Sequence, residues 1–205
     1  MRFLPLFALL IFVACESDTS DTVNATTGVL PTATNTATED DKVSIFPPAD
    51  WIDGKEIEAR KSPMAVASAL RGDNYVKVVY NQPHMRGREM LGKELPYGKL
   101  WRFGANEATE LFTTAEMTID GKTLPAGAYS LYCVPETDEW TLIVNKALGE
   151  WGAYNYDEAR DVMRLPSTVQ PADKTYEAFT IWFAPDGSSL NAAWGNKQAS
   201  WPIAL

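Results

Sequence analysis

The sequence predicts an all-β fold, a single antiparallel β-sandwich or flattened barrel of about eight or nine strands, on three observations. Apolar residues recur at every second position over short runs, turn residues separate those runs, and no long stretch carries the helical period. A chain of 205 residues with 45% hydrophobic and 11% aromatic side chains also has ample material for one packed core and an appendage.

The sandwich is expected over residues 61–205. Met64 to Leu70 reads as a first strand and Tyr75 to Tyr80 as a second, with Arg71-Gly72-Asp73-Asn74 turning between them and Val76, Val78 and Tyr80 on one face. The pattern breaks from Pro83 to Thr109, then resumes at Glu110 to Thr114 and Glu116 to Ile119. Asp120-Gly121-Lys122 and Pro125-Ala126-Gly127 are turns leading to the strand Ala128 to Val134, where Tyr129, Leu131 and Cys133 share a face. In Trp140 to Asn145, Trp140, Leu142 and Val144 alternate with Thr141, Ile143 and Asn145. Lys146 to Arg160 reads as a loop with one short helical turn near its end. Strands follow near Asp161 to Leu165, Tyr176 to Phe183, Ser189 to Trp194 and Gln198 to Ala204. Phe179, Ile181 and Phe183 share one face of their strand, and the Lys146 to Arg160 loop is expected to cover the other, which carries Tyr176, Ala178, Thr180 and Trp182.

Residues 1–14 read as a signal peptide. Arg2 supplies a minimal positive start, and the apolar run Phe3 to Val13 is too short to cross about 30 Å of hydrocarbon. The small residue ahead of Cys15 resembles a bacterial lipobox, which marks Cys15 as the lipidated first residue of the mature protein. The expected localisation is the bacterial cell envelope, lipid-anchored on a periplasmic or surface face of the outer membrane, with the membrane as partner through that lipid. Residues 15–45, rich in Thr, Ala, Asn and Asp, form a flexible, disordered tether, and 46–60, with Pro47-Pro48, an extended bridge. Asp21-Thr22-Val23 resembles a bacterial O-glycosylation tripeptide, although a solvated linker is the plainer reading.

With 27 acidic against 18 basic residues and a formal charge of −9, the chain is not a nucleic-acid binder by electrostatics. No dinucleotide fingerprint, phosphate loop or nucleophile elbow is present, and no cofactor is implied. His84 is the only histidine, and Cys133 reads as a buried strand residue, so no transition-metal site is expected. Glu107 and Glu110 are three apart, which on a strand sends them to opposite faces and disfavours paired-carboxylate glycosidase chemistry.

The interrupted stretch Pro83 to Thr109 is where cationic, aromatic and amide side chains concentrate. Arg88 and Arg102 present planar forks of donors suited to an anion, Tyr97 and Trp101 flat faces suited to a ring, and Asn106 and Glu107 an amide and an acceptor. These six are the expected ligand-binding residues. A structural alternative is that Arg102 and Glu107 form a pair that braces the long loop, with Trp101 in the core.

Several blocks in this region carry a family resemblance. Arg86-Gly87-Arg88, Leu95-Pro96-Tyr97-Gly98-Lys99-Leu100-Trp101-Arg102, Gly104-Ala105-Asn106-Glu107-Ala108-Thr109 and Leu124-Pro125-Ala126-Gly127-Ala128-Tyr129 resemble the secreted bacterial family catalogued as domain of unknown function 2911. Trp140, Asn145-Lys146, Trp151-Gly152, Glu177-Ala178-Phe179-Thr180 and Trp201-Pro202-Ile203 fit its later blocks in order. The resemblance implies an exported β-rich fold and assigns no catalytic residues. The chain departs from the family's common pattern at Asn81-Gln82, where Ser-Arg is usual, and at Phe103, where Thr is usual.

The leading expectation is an envelope lipoprotein that binds a polar anionic or saccharide-like ligand in the Arg88 to Glu107 region. A hydrolase using Glu107 with Arg102 as electrophilic helper is the second reading, and Glu107 is its only catalytic candidate. The third is a structural component that offers a sheet edge or the Trp182 face to a protein partner the sequence does not identify.

Overall fold

A computed structural model describes residues 60–205. The expected signal peptide, the expected tether with Cys15 and Thr22, and all of the expected bridge except Arg60 lie outside the described residues. The strands are β1 Met64–Arg71, β2 Asn74–Asn81, β3 Thr109–Thr113, β4 Met117–Ile119, β5 Lys122–Leu124, β6 Gly127–Pro135, β7 Glu139–Asn145, β8 Asp161–Thr168, β9 Gln170–Phe183 and β10 Ser189–Ala204. They make two antiparallel sheets, ordered β1-β2-β3-β6-β7-β8 and β5-β4-β10-β9, and the pair is not closed into a barrel.

Period-two patterning explains most of this. In β2 the residues Val76, Val78 and Tyr80 face the core while Tyr75, Lys77 and Val79 point outward. β7 is buried on both faces: Trp140, Leu142 and Val144 enter the inter-sheet core, whereas Ile143 joins Tyr132 and Ala108 in a smaller cluster on the outside. That outer cluster is what the loop 146–160 covers, through Ala153 and Tyr156. The expected cover over the outward face of β9 is therefore a misplacement. Tyr132 and Ile143 are fully buried there, with Leu100 and Val134 completing the cover, while on β9 Tyr176 and Trp182 stack on each other at 5.7 Å and 4°.

Several strands are longer than the sequence predicts, β9 and β10 most of all. The expected strands Ser189 to Trp194 and Gln198 to Ala204 are one strand, β10, whose pairing with β9 shifts on either side of Gly195. Gly195 has φ +61°, so a bulge takes up the irregularity and the strand continues. The chain passes from β8 to β9, and so between sheets, at Val169, whose N–H donates to the Asp138 carbonyl at 2.8 Å. After Asn81 it makes the same kind of crossing. The N–H of Phe179 donates to Pro83 O at 2.9 Å and that of Met85 to Glu177 O at 2.8 Å, laying residues 83–85 along the free edge of β9.

The core between the sheets is mostly aromatic. Trp101 stacks on Trp194 at 5.4 Å and meets Phe103, Trp140 and Phe179 edge to face. Ring pairs in such geometry add about 0.5–1.5 kcal/mol each beyond their burial. The polar ends of the outer rings tie the layers together: Tyr80 Oη accepts from Ile181 N–H at 3.0 Å, and Trp201 Nε1 donates to Leu165 O at 2.8 Å.

Candidate functional site

The six residues expected to form one ligand site do not converge on one cavity: Trp101 and Arg102 line a concavity of about 300 Å³ with Leu95, Leu100, Ala153 and Tyr154, whereas Tyr97 and Arg88 line two others. Trp101 is taken up in the core, its indole N–H donating to Gly104 O at 2.9 Å and its ring faces covered by Trp194 and neighbouring aromatics. Phe103 follows it there, fully buried, with its carbonyl accepting from the Thr109 hydroxyl at 2.6 Å. Arg102 is half-buried and donates to its own loop, at Asn106 O, 2.9 Å away. Asn106 has φ +57° and also receives the Gly152 N–H, so its backbone joins the loop 146–160 to the central stretch.

Glu107 is braced, but not by Arg102. Its Oε2 accepts from Arg60 Nη1 at 2.6 Å and from Asn81 Nδ2 at 2.8 Å. Burial raises the cost of its charge, yet the hydrogen bonds and charge of Arg60, with the Asn81 amide, carry its pKa below the ordinary value. A carboxyl held ionised in this way is a poor general acid. Neither Arg60 nor Asn81 was expected from the sequence to hold Glu107. Asn81 stands where the family commonly has Ser, which is the only sequence signal for it.

Tyr97 and Arg88 remain near solvent and face different concavities. Tyr97 forms one wall of a cavity of about 140 Å³ whose other walls are Met85, Met90 and Leu91 from the central stretch and Trp194 and Lys197 from β10. Gly92 approaches the Tyr97 ring so closely that an added Cβ would lie 2.7 Å from Cε2, and its φ of +88° favours glycine. Lys197 Nζ stands 5.4 Å above the Tyr97 ring centre and donates to Thr137 O. The indole N–H of Trp194, though buried, has no acceptor among the described residues. Glu89 lies at the rim, its carboxylate 2.9 Å from Lys93 Nζ. The cavity thus combines an apolar floor, a ring wall and a cation.

The β10 half of this cavity was missed at the sequence level. Trp194-Gly195-Asn196-Lys197 reads as a break between strands, although glycine inside a strand pattern is also the mark of a bulge beside a binding surface. Arg88 lines the second concavity with Lys61, His84 and Arg86. Among the described residues no group of three His, Cys, Asp or Glu side chains stands close enough to hold a metal ion, and no helix is long and apolar enough to cross a membrane.

Comparison with known proteins gives one match. A family model described as "Protein of unknown function (DUF2911)" covers residues 62–203. No curated protein matches, and no solved structure does.

Proposed function

The chain belongs to the family described as Protein of unknown function (DUF2911), and from that premise we propose that it is an exported envelope lipoprotein whose sandwich binds a small ring-bearing ligand, saccharide-like or anionic. The lipid on Cys15 would hold it at the membrane, and the domain would act as a binding module. The observation that carries the reading is the cavity between Tyr97, Trp194 and Lys197. Its volume is below the range of about 300–1,000 Å³ usual for drug-sized ligands, so it takes a single ring with the remainder in solvent. Tyr97 and the methionines would pack against the ring, and Lys197 would meet an anionic substituent.

Tryptophan fluorescence and calorimetric titration with glucose, N-acetylglucosamine and glucuronate test this. The expected result is saturable binding that favours glucuronate, with Lys197→Ala abolishing the preference and Tyr97→Ala abolishing binding to all three. A flat response to every sugar, or one that neither substitution alters, would overturn it.

A further inference from the structure

We propose that the cleft between Lys61, His84, Arg86 and Arg88 is a second binding site, separate from the Tyr97 cavity, and that its ligand is a phosphoryl group. The cleft has a volume of about 320 Å³, and among the described residues no carboxylate lines it. Three cations and the chain's only histidine meet there, in a protein of formal charge −9. A concentration of positive charge against that background is a local attractor for anions.

The way these cations are held separates the cleft from an ordinary charged surface. Arg86 donates through Nη2 to Lys61 O at 2.6 Å. Arg88 donates through Nε to Met85 O at 3.0 Å and through Nη2 to His84 O at 3.0 Å. Neutral main-chain carbonyls thus fix both guanidinium groups, and of the two only Arg88 also pairs with a described carboxylate, Glu94. Among the described residues no carboxylate comes within ion-pair distance of Lys61 or Arg86. Two described carboxylates adjoin the cleft without lining it. Glu94 is 3.9 Å from Arg88 Nη1, and Glu177 is occupied with the backbone N–H of Arg86 at 2.6 Å.

Backbone geometry adds to this. Arg86 has φ +49°, a conformation that non-glycine residues rarely adopt, and Gly87 follows at φ +72°. Such a turn costs energy, and it places Arg86 and Arg88 on the same side of the loop while Met85 and Glu89 line the Tyr97 cavity. The free N–H groups of two fixed forks suit a tetrahedral oxyanion, and their prior fixation lowers the entropy cost of binding one.

A free phosphate ester and a lipid headgroup share this chemistry, and two arms of one experiment tell them apart. The protein used is the chain from residue 15 onward with Cys15→Ser, so that no lipid is attached. His84, as the only histidine, gives a single imidazole signal in proton magnetic resonance. At fixed pH, inorganic phosphate is expected to shift that signal saturably, whereas sodium chloride of equal ionic strength is not. Lys61→Ala and Arg86→Asn are each expected to weaken the phosphate affinity about tenfold, as loss of one charge-assisted contact implies. Asparagine tolerates positive φ, so the second variant spares the turn. Lys93→Ala removes the same charge from a lysine held by Glu89 and is expected to change nothing.

The second arm is co-sedimentation with vesicles of phosphatidylglycerol or of phosphatidylcholine. Binding to phosphatidylglycerol that Arg86→Asn removes supports a headgroup phosphate. A phosphate-induced shift without vesicle binding supports a soluble ester. Shifts that chloride reproduces, or that both site variants leave intact, overturn the proposal.

Discussion

Glu107 shows how a single carboxylate can be read from its partners. Its folded pKa lies below the unfolded value of 4.5, so its ionic pairing contributes stability above about pH 4.5 and loses it as pH falls through the depressed value. The side chain is 39% exposed, and solvent screening holds the contribution to about 0.2–1 kcal/mol. Glu107→Gln keeps an acceptor for Arg60 and Asn81 but removes the charge. Urea titrations should therefore find the variant less stable at pH 7 by that amount, with the two proteins converging as pH drops below 4.5. Cys133 has the opposite character. Complete burial pushes its thiol well above the ordinary range, and it lies on β6 inside the inter-sheet core. In protein carrying Cys15→Ser, a thiol reagent should titrate no cysteine in the native state and one after denaturation. Modification of the folded protein at a rate above that of unfolding would show that the core opens locally there.

Among the elements, the loop 146–160 depends most on polar contacts. Asn145, fully buried at the end of β7, donates to Asp157 O at 2.9 Å and Asp161 Oδ1 at 2.8 Å, and accepts the Ala147 N–H at 2.8 Å. Tyr156 donates to the other oxygen of Asp161 at 2.6 Å, and Arg164 donates to both. Asn145→Ala should cost about 2–3 kcal/mol, because it strands a buried N–H and part of a carboxylate. Hydrogen exchange should accelerate across residues 146–160, while affinity at the Tyr97 cavity stays unchanged. The sequence made the existence of this loop legible, because Trp140 to Asn145 alternates and Lys146 to Arg160 does not. Its position was not legible, since which sheet face needs covering follows from the order β6-β7-β8, and periodicity carries no strand order. The same limit applies to the site. Tyr97 and Trp101 look alike as aromatics beside glycines, and only packing puts one at a cavity wall and the other under Trp194. Arg60 was invisible as the partner of Glu107 because 47 residues separate them.

At the scale of the whole molecule, the aromatic core holds the two sheets together and also forms the floor of the cavity. Trp194 and Trp201 both lie on β10 and both are buried, yet their polar atoms fare differently. Trp201 Nε1 reaches across to Leu165 O on β8 at 2.8 Å, linking the sheets, while Trp194 Nε1 finds no acceptor among the described residues. Replacing each by phenylalanine removes a similar area of ring, so the two substitutions share their packing cost. They differ in the polar contribution. Trp201→Phe breaks a hydrogen bond and leaves a buried carbonyl short of a partner, whereas Trp194→Phe removes a donor that was already buried without one. The first should therefore be the more destabilising by about 1–3 kcal/mol in urea unfolding. Equal stability losses would mean that the Trp194 N–H is satisfied in solution.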